Sequence, residues 1–349
     1  MKKICLYVVS AALVLTGLLF SLPRNVSAGE TEVHGYGYQG YLKAPKNDYL
    51  DARDSTYAFN KMALLFSNKV EDNTTVWVQI FGDSEKIGLD WAYVDYRFTN
   101  SFEVRAGQIK YPLGLFNEVR DNKLLHLAMM EPIMYREEAE VVFEAYRGAG
   151  VNYSGPLTVD VFGGAPVTES DNPLVRAEVK ALSGGRIAYM PVEGLKLMAS
   201  AAGNKEEIIS SDIDVPSIPE AKERVWIASV SYDNHSFEVN AEYAKNKLIE
   251  GSFKSYYVEA GYTFFDKLTP FVRYDYIVSA DEGVDTSDPA MYQKETVVGV
   301  GYKVNPYFAI KAEQHLIDGY LLSVATGETA AGFGEKKWDM FVAGINFMF

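Results

Sequence analysis

From Val33 onward, apolar and polar residues alternate with a period of two along most of this chain. Residues 237–243 read Phe-Glu-Val-Asn-Ala-Glu-Tyr, and the same period recurs at 256–264, 272–278 and 341–349. Because successive side chains of a β-strand point to opposite faces, this pattern predicts strands with one apolar and one polar face. The chain is therefore predicted to be all-β. Its apolar faces either meet inside a soluble sandwich or face lipid around a membrane barrel.

The connections between the predicted strands favour the barrel. Very short turns are predicted at 71–73, 99–101, 154–156, 192–194, 233–235, 265–267 and 304–306. Longer, more polar connections are predicted at 43–56, 111–140, 167–180, 204–222, 281–292 and 318–335. Short turns at one end and long loops at the other are typical of outer-membrane barrels. The segmentation gives about sixteen strands, which predicts a transmembrane antiparallel up-and-down β-barrel wide enough for an aqueous channel.

The N-terminus has the pattern of a secretory leader. Lys2 and Lys3 precede an apolar run over 4–22, and Val26-Ser27-Ala28 has the small-residue spacing of a signal-peptidase site. We therefore expect residues 1–28 to be a signal peptide. The alternative is a retained membrane anchor, which the absence of a following basic cluster disfavours. The single cysteine of the chain lies in this leader, so a mature protein would have no disulfide.

Residues 29–349 are expected to form a single barrel domain, with no residues left over for a second one. The last strand ends on Phe349, with Phe347 and Gly344 upstream. This ending resembles the insertion signal of bacterial outer-membrane proteins, although Val342 stands where a polar residue is usual. The resemblance implies that the barrel-assembly machinery recognises Phe349.

The composition fits a barrel and argues against other classes. The chain has 24 Tyr, 19 Phe and 28 Gly, and its formal net charge is −14, which makes nucleic acid a poor partner. Residues 35–40 match the dinucleotide pattern G-x-G-x-x-G, but they lie in a predicted strand that no helix follows. Nucleotide binding needs that helix, so no cofactor is predicted.

A segment in the middle of the chain carries a family resemblance. Residues 107–115 read GQIKYPLGL, which resembles a G-x-x-K-x-P-x-G-L segment of bacterial outer-membrane porins, with the phosphate-selective porin O/P-like group the nearest. In sixteen-stranded general porins the third long loop folds into the lumen and narrows it. The resemblance implies this for 111–140, where Pro112 ends a strand and the apolar stretch 123–135 can pack against the inner wall. An ordinary external loop is the alternative. Phosphate selectivity does not carry over, because this chain is acidic.

Two sets of charged residues are candidate site residues. The constriction loop contributes Glu118, Arg120, Asp121, Lys123, Arg136, Glu137 and Glu138. The strand alternation points a second set towards the lumen as pore wall: Lys61, Asp95, Arg97, Glu103, Arg105, Asp160, Arg186, Lys196, Glu238, Glu242, Glu259, Arg273, Asp275, Lys311 and Glu313. Facing rows of opposite charge tune ion choice in a pore. Since the signs nearly balance, they predict no preference for cations or anions.

Together these features predict a porin that lets small hydrophilic solutes diffuse passively across the bacterial outer membrane. The resemblance further implies a homotrimer in contact with lipid and lipopolysaccharide. One alternative is a structural barrel that sheathes or docks a partner protein, such as an electron-transfer protein. An outer-membrane hydrolase is another, for which only His126 and His315 lie at loop height, without any G-x-S-x-G or H-E-x-x-H motif. The acidic stretch 281–288 could hold Ca²⁺, but a solvated loop is favoured.

Overall fold

The computed structural model describes residues 29–47, 49–84, 86–139, 141–142, 144–167, 175–210, 218–248, 251–325 and 335–349. Sixteen antiparallel strands close into one barrel, in which each strand pairs with its neighbours in sequence and β1 pairs with β16. The strands are β1 (Thr31–Lys43), β2 (Asn60–Glu71), β3 (Thr74–Gly82), β4 (Ile87–Thr99), β5 (Phe102–Lys110), β6 (Ala145–Tyr153), β7 (Leu157–Pro166), β8 (Val175–Val192), β9 (Leu195–Ser210), β10 (Ile218–Asp233), β11 (Phe237–Lys247), β12 (Phe253–Tyr262), β13 (Leu268–Ser279), β14 (Tyr292–Asn305), β15 (Phe308–Gly319) and β16 (Lys337–Met348). The predicted fold is confirmed. The predicted signal peptide lies outside the described residues.

The barrel turns its apolar face outward and its polar face inward. Val258, Val272 and Leu316 lie on the outer face and are 49%, 48% and 55% exposed. Glu259 and Arg273, their neighbours in sequence, point to the opposite face and are 2% and 1% exposed. A soluble sandwich has the reverse arrangement, with its apolar face buried. The sandwich alternative is therefore wrong, and the outer surface is of the kind that lipid covers.

The predicted turns agree closely with the observed connections. All seven short turns are confirmed, between β2 and β3, β4 and β5, β6 and β7, β8 and β9, β10 and β11, β12 and β13, and β14 and β15. The predicted loops 167–180 and 204–222 are too long, because β8 already begins at Val175, β9 ends at Ser210 and β10 begins at Ile218. Residues 205–210 and 218–222 show no regular alternation, but residues 175–180 read Val-Arg-Ala-Glu-Val-Lys and do alternate, so the start of β8 was missed although the sequence marks it.

The helices are all short. Four 3₁₀ turns, at Asn117–Val119, Lys123–Leu125, Ile133–Tyr135 and Glu137–Ala139, follow β5. A fifth at Pro289–Met291 and an α-helix, α1 (Leu321–Ala325), lie in later loops. Among the residues placed in the structure, no helix is long and apolar enough to cross a membrane.

The two ends of the barrel domain meet where the barrel closes. Gly35 and Phe349 each donate a backbone N–H to the carbonyl oxygen of the other, at 2.9 and 2.8 Å. A Cβ on Gly35 would lie 2.3 Å from the ring of Phe349, so the glycine leaves room for the terminal aromatic residue. The glycine pattern at 35–40 thus lies inside β1, as predicted, and serves close packing there.

Candidate functional site: the lumen and the loop inside it

The segment from Tyr111 to Glu144, called here the inner loop, joins β5 to β6. Pro112 has no N–H for a strand ladder, which suits the end of β5. Gly114 has a φ of +64°, and a Cβ there would lie 1.9 Å from the hydroxyl oxygen of Tyr135. Only glycine fits this position, so Gly114 permits a turn of the chain just after β5.

Carboxylates of β13 and β15 accept backbone N–H groups of the inner loop. The two oxygens of Glu313 accept the N–H of Met129 at 2.7 Å and of Met130 at 3.0 Å. Asp275 accepts the N–H of Ile133 at 3.1 Å. These bonds satisfy loop amides that neither strand nor helix could satisfy, and they fix the middle of the loop.

Two further carboxylates bond to the inner loop, near its beginning and just after Ile133. Glu242 on β11 accepts the N–H of Leu115 at 2.8 Å and the hydroxyl of Tyr135 at 2.5 Å. Glu295 on β14 receives both terminal nitrogens of Arg136, at 3.1 and 2.6 Å, in a pair whose side chains are at most 1% exposed. A buried bidentate pair of this kind defines one geometry.

The inner loop therefore bonds to the same face of β9, β11, β13, β14 and β15, and on the far side Lys61 of β2 pairs with Asp121 at 2.7 Å. A segment that contacts the inward face of strands on several sides of a closed barrel lies inside that barrel. Its apolar side chains Met129, Ile133 and Met134, none more than 1% exposed, pack in one cluster with inward Ile227 and Trp338.

The seven predicted loop charges fall into two groups. Four are buried, each in an ion pair, and these are Arg120, Asp121, Lys123 and Arg136. Glu118, Glu137 and Glu138 stay partly accessible, and the side chain of Glu137 is 83% exposed. The buried four differ from the prediction because an enclosed charge is stable only beside a partner, so they hold the loop rather than face a solute.

The predicted wall residues lie on the inward face, but the inner loop covers part of that face. The covered residues are Glu242, Glu259, Arg273, Asp275, Lys311 and Glu313, each at most 5% exposed. Alternation assigns a face to each of them but not what lies against it. Asp95, Arg97, Glu103, Arg105 and Arg186 lie on the other half of the wall, where more of each side chain is accessible.

Sequence reasoning missed several residues of the site. Glu295 was the most important, although the alternation of 292–298 points it inward with Gln293. Lys110 was also missed, and it contacts Glu144 at 3.0 Å and Asp90 at 3.6 Å as well as Asp121. These three carboxylates are close enough to ligate a cation, but the ammonium groups of Lys110 and Lys61 already supply their positive charge.

The two histidines at loop height have structural partners. His315 lies fully buried between Glu295, at 2.6 Å, and Glu313, at 3.0 Å. A ring nitrogen of His126 lies 3.0 Å from the carbonyl oxygen of Val119. Burial, with Lys123 nearby, lowers the pKa of His126 to about 3, so this imidazole is neutral at ordinary pH. Neither arrangement pairs a histidine with a nucleophile.

The acidic stretch 281–288 forms turns with its own backbone. Asp285 accepts the N–H of Ser287 at 2.9 Å, and the hydrogen bonds from Ser287 lower the pKa of the Asp285 carboxyl. Asp288 accepts the N–H of Ala290 at 2.9 Å and caps the turn at Pro289–Met291. Two of these carboxylates thus serve as caps, which is the role of acidic residues in an ordinary loop.

Solved structures of similar fold are known. The chain is similar to OmpF of Salmonella typhi (TM-score 0.65, 12% identity, 92% of this chain and 98% of that one) and to an anion-selective porin from Comamonas acidovorans (0.63, 12%, 92% and 99%). It is also similar to the outer membrane channel DcaP of Acinetobacter baumannii (0.61, 13%, 94% and 99%). The barrel has the porin fold. At these identities the likeness extends to the fold alone.

Sequence comparison adds little to this result. No family model matches the chain. A curated relative, an uncharacterized protein of Aquifex aeolicus (strain VF5), is 25% identical over 108 residues. The match covers 30% of this chain and 24% of the relative, so it spans about a quarter of that protein. The resemblance to the phosphate-selective porin O/P-like group stays a prediction.

Proposed function

We propose that the protein is an outer-membrane porin, a water-filled channel through which small hydrophilic solutes and ions diffuse passively. The observation that carries the proposal is the asymmetric lumen of a closed, apolar-coated barrel. The inner loop bonds to inward side chains on the β9–β16 side, while the charged side chains of Arg97 on β4 and Arg105 on β5 remain accessible. A passage lined by charge suits hydrated solutes.

In this proposal the inner loop is the constriction. Its Glu118 pairs with Arg186 on the wall, and Arg186 also pairs with Asp160 at 2.7 Å. Glu137 and Glu138 supply further acidic charge on the loop, and the side chain of Glu137 is 83% exposed. The accessible acidic charge on the loop would act on charged and polar solutes as they pass.

The test is the conductance of the refolded full-length barrel in a planar lipid bilayer. The expected result is stepwise opening, and a reversal potential under a salt gradient will report which exposed charges dominate. Steps grouped in threes would support the homotrimer that we also propose. A demonstrably folded barrel that passes no ions would contradict the channel.

The structural alternative, a barrel that sheathes a partner protein, has less support. The inner loop occupies lumen volume that a threaded partner would need, and its anchors are buried and bidentate. We further propose cleavage after residue 28, contact with lipid and lipopolysaccharide, and recognition of Phe349 by the barrel-assembly machinery. Mass spectrometry of the mature chain tests the first, and slower assembly on deletion of Phe349 tests the last.

A further inference from the structure

Three aromatic side chains of β3 and β4, Trp77, Trp91 and Tyr93, stack along the inner wall and are called here the aromatic platform. The ring centroids of Trp91 and Tyr93 are 5.3 Å apart with planes at 30°, and those of Trp77 and Tyr93 are 6.4 Å apart at 25°. All three residues remain partly exposed, whereas Tyr111 and Tyr135 of the inner loop are at most 1% exposed. Stacked apolar rings facing water are a surface that a solute can cover with a gain in free energy.

Strand register places the platform in the lumen. Trp91 lies opposite Gln79, whose side chain bonds to the inward hydroxyl of Tyr36 at 2.8 Å. Tyr93 shares its face with Asp95, and the outward Val94 between them is 40% exposed. The rings therefore face the passage and not the lipid.

Hydrogen-bonding groups lie directly beside the rings. The guanidinium carbon of Arg105 is 5.7 Å from the ring centroid of Tyr93. Its Nε is 3.0 Å from Asp95 and 2.9 Å from Glu103, and Arg97 lies 3.9 Å from Glu103. Two guanidinium groups and two carboxylates cancel in charge, yet the carboxylates keep free lone pairs and the arginines further N–H groups. The patch is polar and neutral.

One row of the wall next to the platform consists of glycines. Tyr93 lies opposite Gly107 on β5, which lies opposite Gly148 on β6, followed by Gly164 on β7. A Cβ on Gly107 would meet the carbonyl oxygen of Ala92 at 2.3 Å, so a larger residue cannot occupy this position. These three positions therefore add no side chain to the lumen beside the rings.

We propose that the aromatic platform is a binding subsite for neutral carbohydrate. A pyranose has a face of C–H groups and a rim of hydroxyls. Its face would lie on Trp91 and Tyr93, and its hydroxyls would bond to Asp95, Glu103 and Arg105. A pocket with aromatic walls and a few placed polar groups is the usual form of a small-molecule site. The neutral charge balance favours an uncharged solute over an ion. This inference names a solute class for the proposed channel and rests on that proposal.

The experiment measures the ion current through the refolded full-length barrel while maltotriose is added, with a polyethylene glycol of matched mass as the size control. Maltotriose should interrupt the current in a concentration-dependent way, and the polymer should not. Trp91→Ala should raise the half-blocking concentration about tenfold or more, the loss typical of one aromatic stacking contact. Trp91→Phe should bring the half-blocking concentration most of the way back to the wild-type value. The outward Trp226→Ala should leave it unchanged, since that ring lies on the lipid-facing side.

A second readout does not depend on conduction. Tryptophan fluorescence of the detergent-folded barrel, with Trp226 and Trp338 changed to Phe, should shift on titration with maltotriose. Conductance without block or shift would overturn the carbohydrate subsite and leave the channel standing. A shift without conductance would support the subsite and overturn the channel. Block by a charged or aromatic solute but not by maltotriose would also overturn the carbohydrate assignment, as would equal block of the wild type and Trp91→Ala.

Discussion

The ion pair between Arg136 and Glu295 should decide whether the inner loop stays in place. Both side chains are at most 1% exposed, and two hydrogen bonds of 3.1 and 2.6 Å join them across 159 residues of chain. Arg136→Ala leaves the buried carboxylate without its main partner, a change that costs about 3–5 kcal/mol in proteins. That corresponds to a roughly 150- to 5,000-fold shift towards a released loop, at 1.36 kcal/mol per tenfold. His315 also contacts Glu295 at 2.6 Å, so we expect the lower end of that range.

Hydrogen exchange of the inner loop, followed by mass spectrometry on the detergent-folded barrel, measures this shift directly. The amides of Met129, Met130 and Ile133 bond to wall carboxylates and should exchange faster by the same factor in Arg136→Ala. Single channels of this variant should also show stronger current noise. Lys69→Ala is the matched control, because it removes an exposed pair with Asp72 at 3.1 Å and should leave exchange unchanged. Exchange in Arg136→Ala within about threefold of the wild type would refute the reasoning.

Three other perturbations probe the same loop. In the packed loop His126 has a pKa of about 3, whereas in a released loop it takes up a proton below about pH 6.5. Acidification therefore favours release through that window, by up to about 2.7 kcal/mol at pH 4.5, and single-channel noise should rise less with acid in His126→Asn than in the wild type. Gly114→Ala should destabilise the packed loop by about 1–3 kcal/mol and speed its exchange, while Gly283→Ala, also at positive φ but in open space, should not affect the loop. Glu137→Gln should move the reversal potential towards anion preference at low salt and not at 1 M, since its exposed charge is screened; an identical potential at both salts would contradict a position in the passage.

The strands could be predicted from sequence because each one separates two solvents. Lipid outside and polar groups inside impose the period of two wherever a strand crosses the apolar band, so β11 to β16 follow the pattern closely. The alternation is lost over 205–210 and 218–222, where β9 ends and β10 begins, so these strand ends could not be predicted. The short turns could also be predicted, because a short connection needs particular residue types.

The partners of the inner loop could not be predicted in this way. Arg136 and Glu295, or Met129 and Glu313, lie more than 150 residues apart, and no local pattern relates them. Alternation places Glu313 and Arg105 alike on the inward face, yet one is covered and the other accessible. Whether an inward residue is covered or accessible depends on the path of the inner loop. The aromatic platform was missed for a related reason, because Trp91 follows a register shift that breaks the alternation of β4.

The division of charge along the wall explains why the loop packs where it does. On β11 to β15 the covered acids Glu242, Glu259, Asp275, Glu295 and Glu313 outnumber the covered cations Arg273 and Lys311. An acidic surface of this kind attracts N–H groups and cations, and the loop presents backbone amides and Arg136 to it. On β4 and β5 the charges balance among themselves, and this wall holds the loop near its ends, where Lys110 pairs with Asp121 and Glu144. Substitutions on β11 to β15 should therefore act on the position of the loop, and substitutions on β3 to β5 on the solute itself.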